Sequence, residues 1–90
     1  MIETTVTVNH RHGLHARPAA MFYRKTREYR SSITIQNMSR PESAEVPVSP
    51  FYLLQIGVRQ GDAVRLRAEG DDASEAIAEL AALIAKNFGD

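Results

Sequence analysis

The residues of this chain best suited to chemistry lie near its N-terminus, in the run Gly13-Leu14-His15-Ala16-Arg17-Pro18-Ala19-Ala20, with His10 and His12 just before it. Imidazole is a good nucleophile when unprotonated and changes charge near neutrality, so His15 is a candidate to hold a transferable group. Arg17 is the matching charge, because a planar guanidinium can hold two phosphoryl oxygens at once. If a helix begins at Ala16, His15 stands at its N-cap. A phosphoryl group on the ring would then sit beside the unpaired backbone amides of Ala16 and Arg17, at the positive end of the helix dipole, with no added cofactor. Pro18 fixes the backbone locally, and the small Ala16, Ala19 and Ala20 leave room for an approaching partner. The competing structural reading has His15 simply capping the helix and Arg17 as a solvated surface charge, and spacing alone does not separate the two.

His10, His12 and His15 also raise the question of a metal. His10 and His12 share a face if the strand before them continues, but the chain has no cysteine and no obviously placed carboxylate completes a set, so no metal site is expected. His12 is instead expected beside His15, where it can lend positive charge to a phosphate below neutral pH.

The elements that must position these residues follow from periodicity. Ile2, Thr4, Val6 and Val8 alternate with polar neighbours as in a half-buried strand that ends near His10. Phe22, Thr26 and Tyr29 recur near helical spacing, which predicts a first helix from 16 to 29 with Pro18 in its first turn. Ile33 and Ile35, a turn-rich stretch with Asn37, Ser39 and Pro41, and then Ala44, Val46 and Val48 read as a hairpin. Pro47 cannot donate to a ladder, so that second strand belongs at an edge. Ser49 before Pro50 starts a short apolar helix that Gly57 ends. After a turn at Gly61 and Asp62, Val64, Leu66 and Ala68 alternate with Arg65, Arg67 and Glu69. From Asp72, with Glu75 placed as in a capping box, Ile77, Leu80, Ala81, Ile84 and Phe88 form one helical stripe ending at Gly89. The order β-α-β-β-α-β-α predicts an α+β fold, an open-faced β-sandwich in which three helices cover one face of a four-stranded antiparallel sheet.

Composition narrows the function. Lys plus Arg and Asp plus Glu number 11 each, so no overall field attracts a polyanion, and general nucleic-acid binding is not expected. The absence of cysteine removes any need for an oxidising compartment. No charged start followed by a long apolar run suggests a signal peptide or membrane span, and the expected location is the cytoplasm. Hydrophobic content of 43% over 90 residues suits one folded domain spanning 1–90. There is no internal repeat or low-complexity segment.

With this order of elements, the chain resembles HPr, the histidine-containing phosphocarrier family of the phosphoenolpyruvate-dependent sugar phosphotransferase system. The resemblance extends over nearly the whole chain. Gly13 to Ala20 resembles the family's active-site segment, and Ile56-Gly57, Gly61 and the strand beyond them resemble its second half. The resemblance implies that His15 accepts a phosphoryl group from phosphorylated enzyme I and passes it to enzyme IIA domains of sugar permeases, with Arg17 steadying it and no metal or cofactor on the carrier. In-line positioning and charge compensation are enough for such transfer. The resemblance also implies an apolar contact surface that would include Ala20, Phe51 and Leu54, although Phe51 equally suits a core position. A monomer is the simpler expectation for a protein presenting one site to successive partners. A carrier in a nitrogen-related or other regulatory phosphotransfer chain would use the same His15 chemistry and differ mainly in its contact surface, where the segment from Pro47 to Leu54 is unusual.

Two positions depart from the resemblance. Ser49 falls where many family members carry a serine phosphorylated by a regulatory kinase, but Val48, Pro50 and Tyr52 replace its usual neighbours, and a cap before proline already accounts for it. His12 stands where the family more often has a small polar residue. Two other classes of function compete less well. Arg24, Lys25, Arg27 and Arg30 make the first helix basic toward its C-terminal end, which suits the helix dipole, an acidic partner or RNA. The strands, however, carry no aromatics of the kind that RNA-binding sheets display. An independent enzyme would need an acidic residue to orient His15 and more volume for a substrate pocket than this chain offers.

Overall fold

Strand alternation builds one antiparallel sheet. The computed structural model describes residues 1–89, and in it β1 (Ile2–Thr7), β2 (Ser32–Asn37), β3 (Val46–Pro47) and β4 (Ala63–Glu69) stand in the order β1-β4-β2-β3. The register sets Val6 opposite Val64 and Ile2 opposite Ala68 on one side of β4. On its other side Ile35 faces Leu66 and Ile33 faces Ala68. Cross-strand partners share a face, so the apolar sets of three strands fall together. Ile33, Ile35, Val64, Leu66 and Ala68 are all buried. The opposite face presents Glu3, Gln36, Arg65 and Arg67 to solvent, tied by Arg67 to Glu3 at 3.1 Å and to Glu45 at 2.9 Å.

α1 (Ala16–Thr26), α2 (Pro50–Gln55) and α3 (Ala73–Ala85) cover the apolar face, as the patterning predicts. α1 buries Pro18, Ala19, Phe22 and Thr26 at helical spacing, and α3 buries Ala73, Ala76, Ile77, Leu80 and Ile84. α2 contributes Leu53 alone. Pro47 lies on the edge strand, where its missing N–H costs no ladder bond.

Several boundaries differ from the expectation. α1 stops at Thr26 rather than 29, because the Thr26 hydroxyl donates to the Tyr23 carbonyl at 2.6 Å and the Arg27 N–H is shared between the Tyr23 and Arg24 carbonyls. β3 is only the pair Val46–Pro47, without Ala44 or Val48. Asp72 occupies the N-cap position of α3 but does not cap it. Its carboxylate instead accepts from the Arg30 and Ser31 N–H groups at 2.8 and 3.0 Å and from the Ser31 hydroxyl, clamping the turn between α1 and β2. These bonds, the Ser31 hydroxyl first, hold the Asp72 carboxyl below its usual range. α3 ends at Ala85. Phe88 is still fully buried, but it gets there through a tight turn over Asn87–Gly89, with φ near 58°, and not along the helical stripe.

Asn37 lies at the buried end of β2 and not in the following turn. Its amide donates to the Ile56 carbonyl and to Asp62 Oδ2, each at 3.1 Å, and its carbonyl oxygen accepts from the Ser39 N–H at 3.1 Å. Asp62 also accepts from the Arg59 N–H at 3.0 Å, and this bond leads the causes that depress its carboxyl pKa. The network ties the end of β2 to the loop between α2 and β4, and the Val58 carbonyl of that loop meets the Leu14 N–H beside the candidate site.

Candidate functional site

Between β1 and α1 the chain must leave the sheet edge and re-enter as a helix, and three attachments define its path. The Gly13 N–H donates to the His10 carbonyl at 2.8 Å, closing a turn. The Leu14 N–H donates to the Val58 carbonyl at 3.2 Å, while the Leu14 side chain is completely buried. Gly13 takes φ +59°, and a Cβ built there would lie 2.1 Å from the Val58 oxygen. Only glycine lets these two backbones come this close.

Leu14 thus points inward and His15 outward. His15 holds the N-cap position of α1 with φ −119° and ψ 157°, exposed, and its side chain makes no cap hydrogen bond. This decides against the reading in which the imidazole is spent on capping. The first turn of α1 contains no acidic residue to compete for its N–H groups, and Arg24 and Lys25 sit in the last turn. Ala16 takes φ +49°, a left-handed conformation that costs a residue with a Cβ roughly 1–2 kcal/mol. Such strain at an exposed site persists only where the surrounding structure holds it, and Ala16 is flanked by the buried Leu14, Pro18 and Ala19.

His15, Ala16 and Arg17 line an open concavity of about 550 Å³ together with His10, Arg11, His12 and Pro18. His15 and Arg17, singled out together from the sequence, thus line one concavity, and His12 lines it with them. Among the described residues, no three His, Cys, Asp or Glu side chains come together as a metal-ligand set. His10 is buried and His12 exposed, so the two do not share a face as a continuing strand would place them. His10 is only 5% exposed, its ring packs edge-on to Phe88 at 5.8 Å, and its Nδ1 accepts the His12 N–H at 3.1 Å. Alternation held the clue: His10 continues the parity of Val6 and Val8 and so points inward.

Ala20 is exposed on α1, and Phe51 and Leu54 are 68% and 51% exposed on α2, which packs beside it. Phe51 is therefore a surface residue, and the core position on that helix belongs to Leu53. Ser49 is the N-cap of α2: its Oγ accepts the Tyr52 N–H at 3.2 Å, and Pro50 takes the first helical position. Among the described residues, no helix is long and apolar enough to cross a membrane.

Comparison with known proteins identifies the family. A family model described as the PTS HPr component phosphorylation site matches residues 2–86. The phosphocarrier protein HPr of Vibrio cholerae is 36% identical over 84 residues, 93% of this chain and 95% of that protein. The multiphosphoryl transfer protein of Haemophilus influenzae is 38% identical over 86 residues, and that of Salmonella typhimurium 29% over 90. The chain spans only 17% and 24% of the length of these two relatives. The crystal structure of HPr-C-His from Thermoanaerobacter tengcongensis matches with a TM-score of 0.91 at 38% identity, covering 100% of this chain and 98% of that one. By the family model, by full-length relatives and by fold, this chain belongs to the HPr phosphocarrier family of the phosphotransferase system.

Proposed function

We propose that the chain carries a phosphoryl group on the imidazole of His15, receiving it from phosphorylated enzyme I and passing it to enzyme IIA domains of sugar permeases. The observation that carries this reading is an exposed His15 at the N-cap of α1, with no cap bond of its own, in one concavity with Arg17. The names of the V. cholerae and H. influenzae relatives support it. In this reading Arg17 compensates phosphoryl charge, and the Ala16 and Arg17 amides at the head of α1 contribute the favourable end of the helix dipole. Phosphoryl transfer between proteins needs alignment and charge stabilisation more than covalent assistance, which suits one imidazole and one guanidinium on a small domain. The donor and acceptor proteins dock on the exposed Ala20, Phe51 and Leu54. The chain works as one carrier unit in the cytoplasm.

The test is incubation of the purified protein with enzyme I and phosphoenolpyruvate, following acid-labile label on wild type and on His15→Ala. Label on wild type alone is the expected result. Absence of label on a folded wild-type protein, with enzyme I shown to be active, overturns the assignment of this donor. Equal label on both proteins overturns the assignment of His15.

A further inference from the structure

Resting on the carrier reading of His15, we infer that His12 is a second, pH-gated phosphoryl-binding residue: its imidazolium form supports the phosphoryl group on His15, and its neutral form does not. Three imidazoles approach this loop, and the geometry gives each a different task. His10 is buried against Phe88 and uses Nδ1 to accept the His12 N–H, so gaining a proton there would break the bond that shapes the loop. His15 is the proposed acceptor. That leaves His12, which is exposed and lies in the same concavity as His15 and Arg17, with its own backbone fixed by His10. Its ring stands 5.4 Å from that of His10, tilted by 43°. A tethered backbone under an exposed ring keeps a charge in the concavity that His15 lines without removing it from solvent.

The titratable and charged groups lining this concavity are His10, Arg11, His15 and Arg17, and none of them is acidic. A phosphoryl group on His15 would favour the imidazolium form of His12. A phosphoryl dianion on His15, acting through the solvent of the shared concavity, should move the His12 titration upward by about half a unit to one unit. By linkage, protonation of His12 favours the phosphorylated carrier by the same factor, about three- to tenfold. Phosphoryl groups would be held more tightly as pH falls through the His12 transition and released more readily as it rises.

The test combines ring-proton NMR titration of His12, before and after phosphorylation by enzyme I, with 31P NMR to verify phosphohistidine on His15. The phosphoryl-transfer equilibrium with enzyme I is then measured from pH 6 to 8 for wild type, His12→Asn and His12→Lys. The His12 titration is expected to shift to higher pH on phosphorylation. The ratio of wild-type to His12→Asn equilibrium constants should rise by about three- to tenfold toward pH 6, and His12→Lys should stay near the low-pH wild-type value throughout. A His12 titration that does not move, or a ratio that stays flat with pH while 31P NMR shows phosphohistidine, overturns the inference and leaves the carrier reading intact. A failure to form phosphohistidine at all removes the carrier reading, and the inference with it.

Discussion

Substituting alanine for Gly13 tests how the site is anchored, and Gly61→Ala supplies the control. Both glycines have positive φ, +59° and +94°, so each alanine incurs the left-handed cost of roughly 1–2 kcal/mol. Each also gains the same small offset from a stiffer unfolded chain, which cancels in the comparison. The surroundings differ. Nothing lies within 4 Å of a Cβ at Gly61, whereas at Gly13 the Val58 oxygen would be 2.1 Å away. That oxygen is backbone and cannot rotate aside, so the two segments must separate and the Leu14 to Val58 hydrogen bond of 3.2 Å must open. Leaving that donor and acceptor without partners adds about 1–3 kcal/mol. Gly13→Ala should therefore lose about 2–5 kcal/mol and Gly61→Ala about 1–2, read from urea denaturation with m held common. His15 follows Leu14 directly, so Gly13→Ala should also slow phosphorylation by enzyme I, and Gly61→Ala should not. Equal destabilisation by the two variants would refute the argument that close backbone approach, rather than φ alone, requires glycine at position 13.

Three further outcomes follow from single contacts. Ser49→Ala removes the Oγ that accepts the Tyr52 N–H and should lower stability by about 1 kcal/mol in urea denaturation, with little effect on His15 phosphorylation. Asp72 is held below its usual carboxyl range by Ser31 and Arg30, so its contribution is complete above the unfolded value near about pH 4 and is lost as pH falls through the lower folded value. Asp72→Asn should then flatten stability against pH in that acid window, as measured by thermal unfolding from about pH 2 to 6. Phe51→Ala, at a side chain 68% exposed, should leave stability within about 0.5 kcal/mol while weakening transfer to and from protein partners, read as a raised KM for the carrier.

The parts of the fold that were legible in the sequence are those set by local period. Alternation in β1, β2 and β4 and the apolar stripes of α1 and α3 identify the elements, and Pro47 marks the edge, because each signal lies within a few residues of what it predicts. Two of the misreadings involve residues whose partners are distant in sequence. Asp72 looks like a helix cap until Ser31 is seen 41 positions away competing for its carboxylate. Asn37 looks like a turn residue, yet Ile56 and Asp62 satisfy its amide inside the fold. Phe88 keeps the helical spacing but reaches the core through a left-handed turn. At the site, the placing of His15 and Arg17 on one concavity was readable from spacing, since both lie at the head of one helix. The strain at Ala16 was not readable, because alanine gives no sign of a positive φ. Nor was the approach of Val58, which comes from the loop after α2.

Exposure and precision pull in opposite directions at such a site. A group handed between proteins must be reachable, and His15, Ala16, Arg17, Ala20, Phe51 and Leu54 are all on the surface. In-line transfer nevertheless loses rate steeply when the reacting atoms are displaced by as little as about 1 Å. If His15 carries the group as proposed, the chain meets both demands by alternating direction along one short segment. Leu14, Pro18 and Ala19 are buried between and beside the exposed residues, and His10 packs on Phe88 behind them. Removing a partner-facing side chain should therefore affect exchange more than folding, and removing one from behind it should affect both. The left-handed Ala16 stands between the two groups: it is exposed, one residue from the imidazole, and it lies among buried neighbours.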